Sequence, residues 1–270
     1  MSTQQTPLHG WALILGASSG FGEATALTLA RRGVNVFGVH MDRRATLGNV
    51  ERIVSEIQGM GREAVFFNVN AADAEKRQDV LDQMARTLAE RGEPGAVIVL
   101  LHSLAFGALR PYVAEDPKDV LSQSQMEMTL DVMAHSLVYC TQDLLRRKLM
   151  GPGGRIFAMT SSGGNHVWPT YGAVSAAKAA LEAHIRQLAY ELAPYQITAN
   201  SIRAGVTDTP ALRKIPGNER MIEGATAKNP YQRLTTPADV ATAIAALCAS
   251  GTHWITGNVI GVDGGEDLTG

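Results

Sequence analysis

Short, wholly apolar runs alternate along this chain with longer stretches in which apolar residues recur every three or four positions. Trp11–Leu15 (WALIL) is the first such run. Gly20–Arg32 follows, with Ala24, Leu27 and Ala30 on one helical face and Gly33 marking the helix end. Further strands are expected at Val34–Val39 (VNVFGV), Ala64–Val69 (AVFFNV), Ala96–Leu101 (AVIVLL), Arg155–Met159 (RIFAM), Ile197–Ile202 and Val259–Val262. Helices are expected at 45–58, at 73–90, over a long bent region at 117–149, at 170–193 before Pro194, and at 237–249. Strands that are apolar on both faces belong in a parallel sheet covered by helices on each side. Right-handed crossovers then give an α/β, three-layer, doubly wound sheet of about seven strands with helices on both faces, a Rossmann fold.

That pattern predicts a polar tail at 1–10 and one domain at 11–270. Ligands of such a sheet bind beyond the carboxyl ends of the strands, which selects loops 16–22, 68–72, 102–110, 160–170 and 203–230. Residues 206–230, with Pro210, Pro216, Gly217 and Gly224, read as a mobile substrate lid.

The 270 residues carry a formal net charge of −2, with no basic run for nucleic acid and no acidic tail. The first ten residues, MSTQQTPLHG, are polar, and no stretch approaches the ~20 apolar residues that span a bilayer. A soluble, cytoplasmic protein is the expectation. Cys140 and Cys248 lie in apolar helical stretches and are expected as buried free thiols. No two histidines stand three to five apart and there is no C-x-x-C, so no metal site is expected. Met126, Met128 and Met133 are expected in the core or an interface.

The first strand runs into GASSGFG: Gly16, Ala17, Ser18, Ser19, Gly20, Phe21 and Gly22. Glycines there permit a tight turn and let a pyrophosphate approach the backbone, and the following helix offers free N–H groups and its positive dipole end. The G-x-x-x-G-x-G spacing resembles that of the short-chain dehydrogenase/reductase family. The resemblance covers almost the whole chain, continuing through Asn68 and Val69, Ser161, Tyr171, Lys178 and the VDGG at 262–265. It implies a nicotinamide cofactor held by the glycine loop, Asn68, Val69, Ser103, Lys178, Gly205, Val206 and Thr207, and a homotetramer.

An acid at the end of the second strand selects NAD(H), whereas arginine favours the 2′-phosphate of NADP(H). Here His40 sits about where that acid would be, Asp42 follows two residues later, and Arg43 and Arg44 come next. Paired arginines suit a phosphate through charge and bidentate bonds, so NADP(H) is favoured, with NAD(H) the alternative.

The ordinary family pattern places a tyrosine four residues before the lysine. Four before Lys178 stands Val174, which carries no titratable proton; Tyr171 stands seven before. Seven residues are nearly two helical turns, so both side chains share a face, about 10 Å apart along the axis rather than about 6 Å. This spacing resembles that of the enoyl-acyl-carrier-protein reductases. LLHSLAFG (Leu100–Gly107), Asp131 in place of the usual asparagine, and a type III-like stretch at Arg203–Glu219 agree with it, although Ala204 stands where Pro is usual.

The resemblance implies reduction of an enoyl thioester on acyl-carrier protein or coenzyme A, in fatty acid biosynthesis. Hydride addition to the β-carbon builds an enolate on the thioester oxygen, which needs a hydrogen-bond donor, the role assigned to Tyr171. Lys178 would hold the nicotinamide ribose, and Ser161 would help orient substrate. Leu104, Phe106, Trp168 and Ile215 are expected to line the pocket. His102 and Asp131 are read as structural rather than as site residues. The alternatives are a reductase of the same family acting on a carbonyl or alcohol, and a cofactor-binding sensor without turnover.

Overall fold

The computed structural model describes residues 8–269, so residues 1–7 of the expected polar tail lie outside the described residues. Seven strands carry the apolar runs: β1 (Trp11–Leu15), β2 (Asn35–His40), β3 (Ala64–Asn68), β4 (Val97–His102), β5 (Arg155–Ser161), β6 (Thr198–Ala204) and β7 (Val259–Val262). They form one parallel sheet in the order β3-β2-β1-β4-β5-β6-β7. The chain reverses its direction of winding between β1 and β4. A crevice therefore opens beyond the carboxyl ends of these two strands.

The helices among the described residues are α1 (Gly20–Arg31), α2 (Leu47–Gly59), α3 (Ala74–Glu90), α4 (Gln123–Leu130), α5 (Ser136–Arg146), α6 (Gly172–Glu191), α7 (Asn218–Lys228) and α8 (Pro237–Leu247). Alternate residues of β1 feed two separate cores. Trp11, Leu13 and Leu15 pack with Met84 of α3, Leu137 of α5 and Leu181 of α6, while Ala12 and Ile14 pack with Leu29 of α1, Ile53 of α2 and Ile244 of α8. A strand buried on both faces needs no polar alternation, which is why WALIL reads as a continuous run. The edges behave differently. β7 alternates between exposed and half-buried residues, and β3 is mostly half-buried.

Element ends agree with expectation to within about three residues, with two exceptions. The expected helical region 117–149 begins only after Ser122, whose hydroxyl accepts the Gln125 N–H in a reciprocal capping box; residues 103–122 are irregular. That region also bends through a π-helical turn at Asp131–His135, between α4 and α5. The expected lid segment contains α7, preceded by a short 3₁₀ turn at Leu212–Lys214. Cys140 is buried, but Cys248 caps the end of α8 and is only half-buried, a correction to the expected pair of buried thiols.

Candidate active site

At the β1–α1 junction the backbone turns tightly. Gly16 has φ +90°, and a Cβ there would lie 2.3 Å from the Ser103 carbonyl; one on Gly22 would lie 2.0 Å from the Gly16 carbonyl. No side chain fits at either position, so the loop presents bare backbone to the head of α1. Ser19 caps α1 without using its side chain, which leaves the first N–H groups of the helix available. The cradle fits a dinucleotide pyrophosphate.

At the end of β2, His40 is buried and its Nδ1 lies 3.0 Å from the Asp42 carboxylate. Burial pushes the imidazole pKa down, partly offset by Asp42, so His40 is neutral at pH 7. Burial alone would raise the Asp42 carboxyl, but the polar side chains of Ser18, Thr46 and His40 around it outweigh that and hold the group below the usual carboxylate range. Asn68, at the end of β3, accepts from the Asp42 N–H and donates to its carbonyl, both at 3.0 Å. The Val69 N–H donates to the His40 carbonyl. Arg43 and Arg44 are exposed beside this cluster.

Beyond β4 and β5 lies a cleft of about 370 Å³. Phe21, Ser103, Leu104, Phe106, Ser161 and Trp168 line it, and so do Tyr171, Lys178, Gly205, Val206, Thr207 and Ile215. The residues at the ends of β2 and β3 (His40, Arg43, Arg44, Asn68 and Val69) lie outside that cleft, at the other end of the crevice. Met133 and Lys214 also line the cleft and were not foreseen as site residues. Met133 reaches it from the π turn, which no periodicity argument locates.

Tyr171 is the N-cap of α6. Thr170 before it has φ +65°, a conformation that costs a β-branched residue of order 1–3 kcal/mol. The Tyr171 N–H donates to the Trp168 carbonyl at 3.1 Å, closing the turn, and the Trp168 indole donates to the Pro216 carbonyl at 3.3 Å. The turn thus joins the segment before α7 to the head of α6. Burial raises the phenol's pKa above 10, opposed in part by the neighbouring Ser161 hydroxyl, so it is a protonated donor at neutral pH. The Ser161 hydroxyl in turn accepts the Gly163 N–H at 3.1 Å.

Lys178, two turns along α6, is 6 % exposed and donates to the Met159 carbonyl at 2.7 Å. Burial lowers its pKa to about 8, with the Glu182 charge opposing. His102 is fully buried beneath the cleft, with Nε2 2.9 Å from the Ser136 hydroxyl; burial and the Lys178 charge lower its pKa to about 3. It is neutral, its Nδ1 has no hydrogen-bond partner, and it is absent from the cleft lining. Asp131 opens the π turn and is absent from the cleft lining. Among the described residues no cluster of three or more His, Cys, Asp or Glu could hold a metal, and no helix is long and apolar enough to cross a membrane.

Residues 16–266 match the family model described as enoyl-(acyl carrier protein) reductase. The chain is 30 % identical over 259 residues to 1-cyclohexenylcarbonyl-CoA reductase of Streptomyces collinus, covering 95 % of this chain and 86 % of that protein. It is 28 % identical over 278 residues to an NADPH-dependent aldehyde reductase-like chloroplastic protein of Arabidopsis thaliana, covering 98 % and 97 %. Among solved structures, enoyl-[acyl-carrier-protein] reductase (NADH) of Aquifex aeolicus VF5 superposes with a TM-score of 0.80 at 26 % identity, covering 97 % of each chain.

Proposed function

The chain belongs to the enoyl-(acyl carrier protein) reductase family of short-chain dehydrogenases/reductases and is a nicotinamide-dinucleotide oxidoreductase; from that premise we propose that it reduces the carbon–carbon double bond of an enoyl thioester carried on acyl-carrier protein or coenzyme A. The observation that carries this reading is a protonated, half-buried Tyr171 phenol facing a largely apolar cleft, on the same helix face as Lys178 but seven residues before it. A reduced nicotinamide, when bound, supplies the hydride that adds to the β-carbon. Tyr171 donates a hydrogen bond to the thioester oxygen as that oxygen takes up enolate charge. Ser161 holds the phenol at that point, and Lys178 binds the nicotinamide ribose hydroxyls. Protonation of the α-carbon completes the saturated thioester. Leu104, Phe106, Trp168 and Ile215 exclude water and receive the acyl chain, and the 206–230 segment closes over it as a lid.

NADP(H) is the proposed cofactor. The Asp42 carboxylate is engaged by His40, whose Nδ1 lies 3.0 Å away, whereas the exposed Arg43 and Arg44 stand ready for a 2′-phosphate. Replacing both with alanine should weaken NADPH binding about tenfold or more, with NADH affinity unchanged, as measured by calorimetry. An unaltered preference between the two cofactors would dismiss the arginine argument. We further propose a homotetramer, the assembly that the resemblance implies.

A second reading, reduction of a carbonyl, draws on the Ser161–Tyr171 pair, since a hydroxyl beside a phenol can polarise a ketone equally well. NADPH oxidation with a short enoyl thioester, beside the matching 3-ketoacyl thioester and repeated with NADH, separates the readings. Consumption with the enoyl substrate alone is expected. Consumption with the ketoacyl substrate alone would replace the first reading with the second.

A further inference from the structure

Lys178 is an ammonium in a place that disfavours charge. It is buried among the apolar residues of α6, its bond to the Met159 carbonyl is to a neutral acceptor, and no carboxylate lies within ion-pair distance of it among the described residues. The groups around it are mostly uncharged. His102 on β4 is neutral, Tyr171 at the head of α6 is protonated, and Thr160 and Ser161 of β5 bring hydroxyls. Lys214, from the turn after β6, adds a second positive charge to the same cleft. The negative charge that acts on Lys178 is that of Glu182, one turn further along α6.

Glu182 is not a free surface carboxylate. It is half-buried, and its Oε1 accepts a 2.6 Å hydrogen bond from the hydroxyl of Thr160, a buried residue between Met159 and Ser161 on β5. A Cβ built on Gly164 would lie 3.6 Å from the Lys178 Cβ and 3.9 Å from the Glu182 Oε1, so the carboxylate reaches back beneath the Ser162–Gly164 turn, on the side of α6 that carries Lys178. One carboxylate is thereby tied to the strand end that offers Lys178 its carbonyl partner and offers Tyr171 its serine.

We propose that Glu182 is a positioning residue of the dinucleotide site: held by Thr160, it fixes the end of β5 against α6 and supplies the negative charge that keeps Lys178 an ammonium able to grip the ribose hydroxyls. The inference rests on the ribose role given to Lys178 above. It assigns the Glu182 carboxylate no contact with substrate or cofactor. Two separable effects follow. The charge sets the pH range over which Lys178 is cationic, and the hydrogen bond to Thr160 sets where the Met159 carbonyl and Ser161 stand.

The test is dinucleotide affinity, measured by calorimetry on the full chain from pH 6 to pH 10 without substrate. In the unaltered protein affinity should fall as Lys178 loses its proton near pH 8. Glu182→Gln keeps the shape and can still accept from Thr160 but removes the charge, and should move that fall down by about one pH unit. Thr160→Val keeps the charge but frees the carboxylate, and should weaken affinity a few-fold at every pH with a smaller displacement of the fall. Glu182→Asp should restore most of the original profile. A Glu182→Gln profile that coincides with the original, in a protein where Lys178→Met abolishes the pH dependence, overturns the inference and leaves the Lys178 reading standing. A Lys178→Met profile that still falls near pH 8 overturns the ribose role, and the inference with it. Thr160→Val keeps the question answerable if Glu182→Gln does not fold, because loss of the tether alone must then weaken binding.

Discussion

Tyr171→Phe should lower turnover about 10²–10³-fold while leaving dinucleotide affinity within a factor of two. The ring is held by its surroundings rather than by its hydroxyl. It packs against the core that contains Val174 and Ala177, and Gly163 lies so near that a Cβ there would stand 2.6 Å from the ring Cε1. Phenylalanine fills the same space, so the head of α6, the cleft and Lys178 keep their places. What disappears is one O–H donor, positioned by Ser161 and kept protonated by burial. If that donor meets the developing enolate, its loss falls on kcat rather than on KM, since the bond strengthens only as charge moves onto the oxygen. Single-turnover rates with an enoyl thioester check this. A kcat within threefold of the original protein would remove Tyr171 from the chemistry. A Ser161→Ala variant then becomes informative: a smaller loss, of about tenfold, is expected of a residue that only orients the phenol.

The fold could be read from the chain because its two periodicities are physically distinct. β1 is buried on both faces, so WALIL shows no polar alternation, while α1 hides one stripe and exposes the rest. α7 escaped that logic, since among its residues only Ala225 is buried and an apolar stripe is therefore missing. The start of α4 was legible: Ser122 and Gln125 have the spacing of a capping box and mark a boundary that periodicity alone set six residues too early. The site divides in the same way. Gly16, Tyr171 and Lys178 declare themselves by spacing along one element. The partners that tune them do not, because Thr160 and Glu182 are 22 residues apart, and the His135 and His184 rings, 49 apart, meet at 3.0 Å across α6 and the π turn. Those pairings depend on how β5 and α6 pack, which hydropathy does not encode.

Lys178→Met should abolish the ribose contact and at the same time make the folded chain more stable at pH 7. An ordinary lysine titrates at 10.5, and burial brings Lys178 to about 8, so in the folded state the ammonium is harder to keep than in the unfolded chain. Between those two values the unfolded chain binds more protons than the folded one, so stability rises with pH across that window. Below pH 8 both states are charged, and the folded state bears the full cost, about 3 kcal/mol. Methionine has similar length and no charge, so it removes that cost. It also strips the Met159 carbonyl of its donor, a loss of about 1 kcal/mol. A net gain of about 2 kcal/mol remains at pH 7, worth roughly 5 °C in thermal midpoint for a chain of this size. Above pH 10.5 the ammonium cost is gone in both proteins, and the variant should be equal to the original or slightly less stable. Thermal unfolding of the two proteins without cofactor at pH 7 and pH 10 measures the difference. A variant already less stable at pH 7 would mean that the ammonium is solvated or paired well enough to cost nothing. The expected crossover would mean that the fold gives up stability to hold a cation where the dinucleotide needs one, a trade of the kind that functional sites make against their own cores.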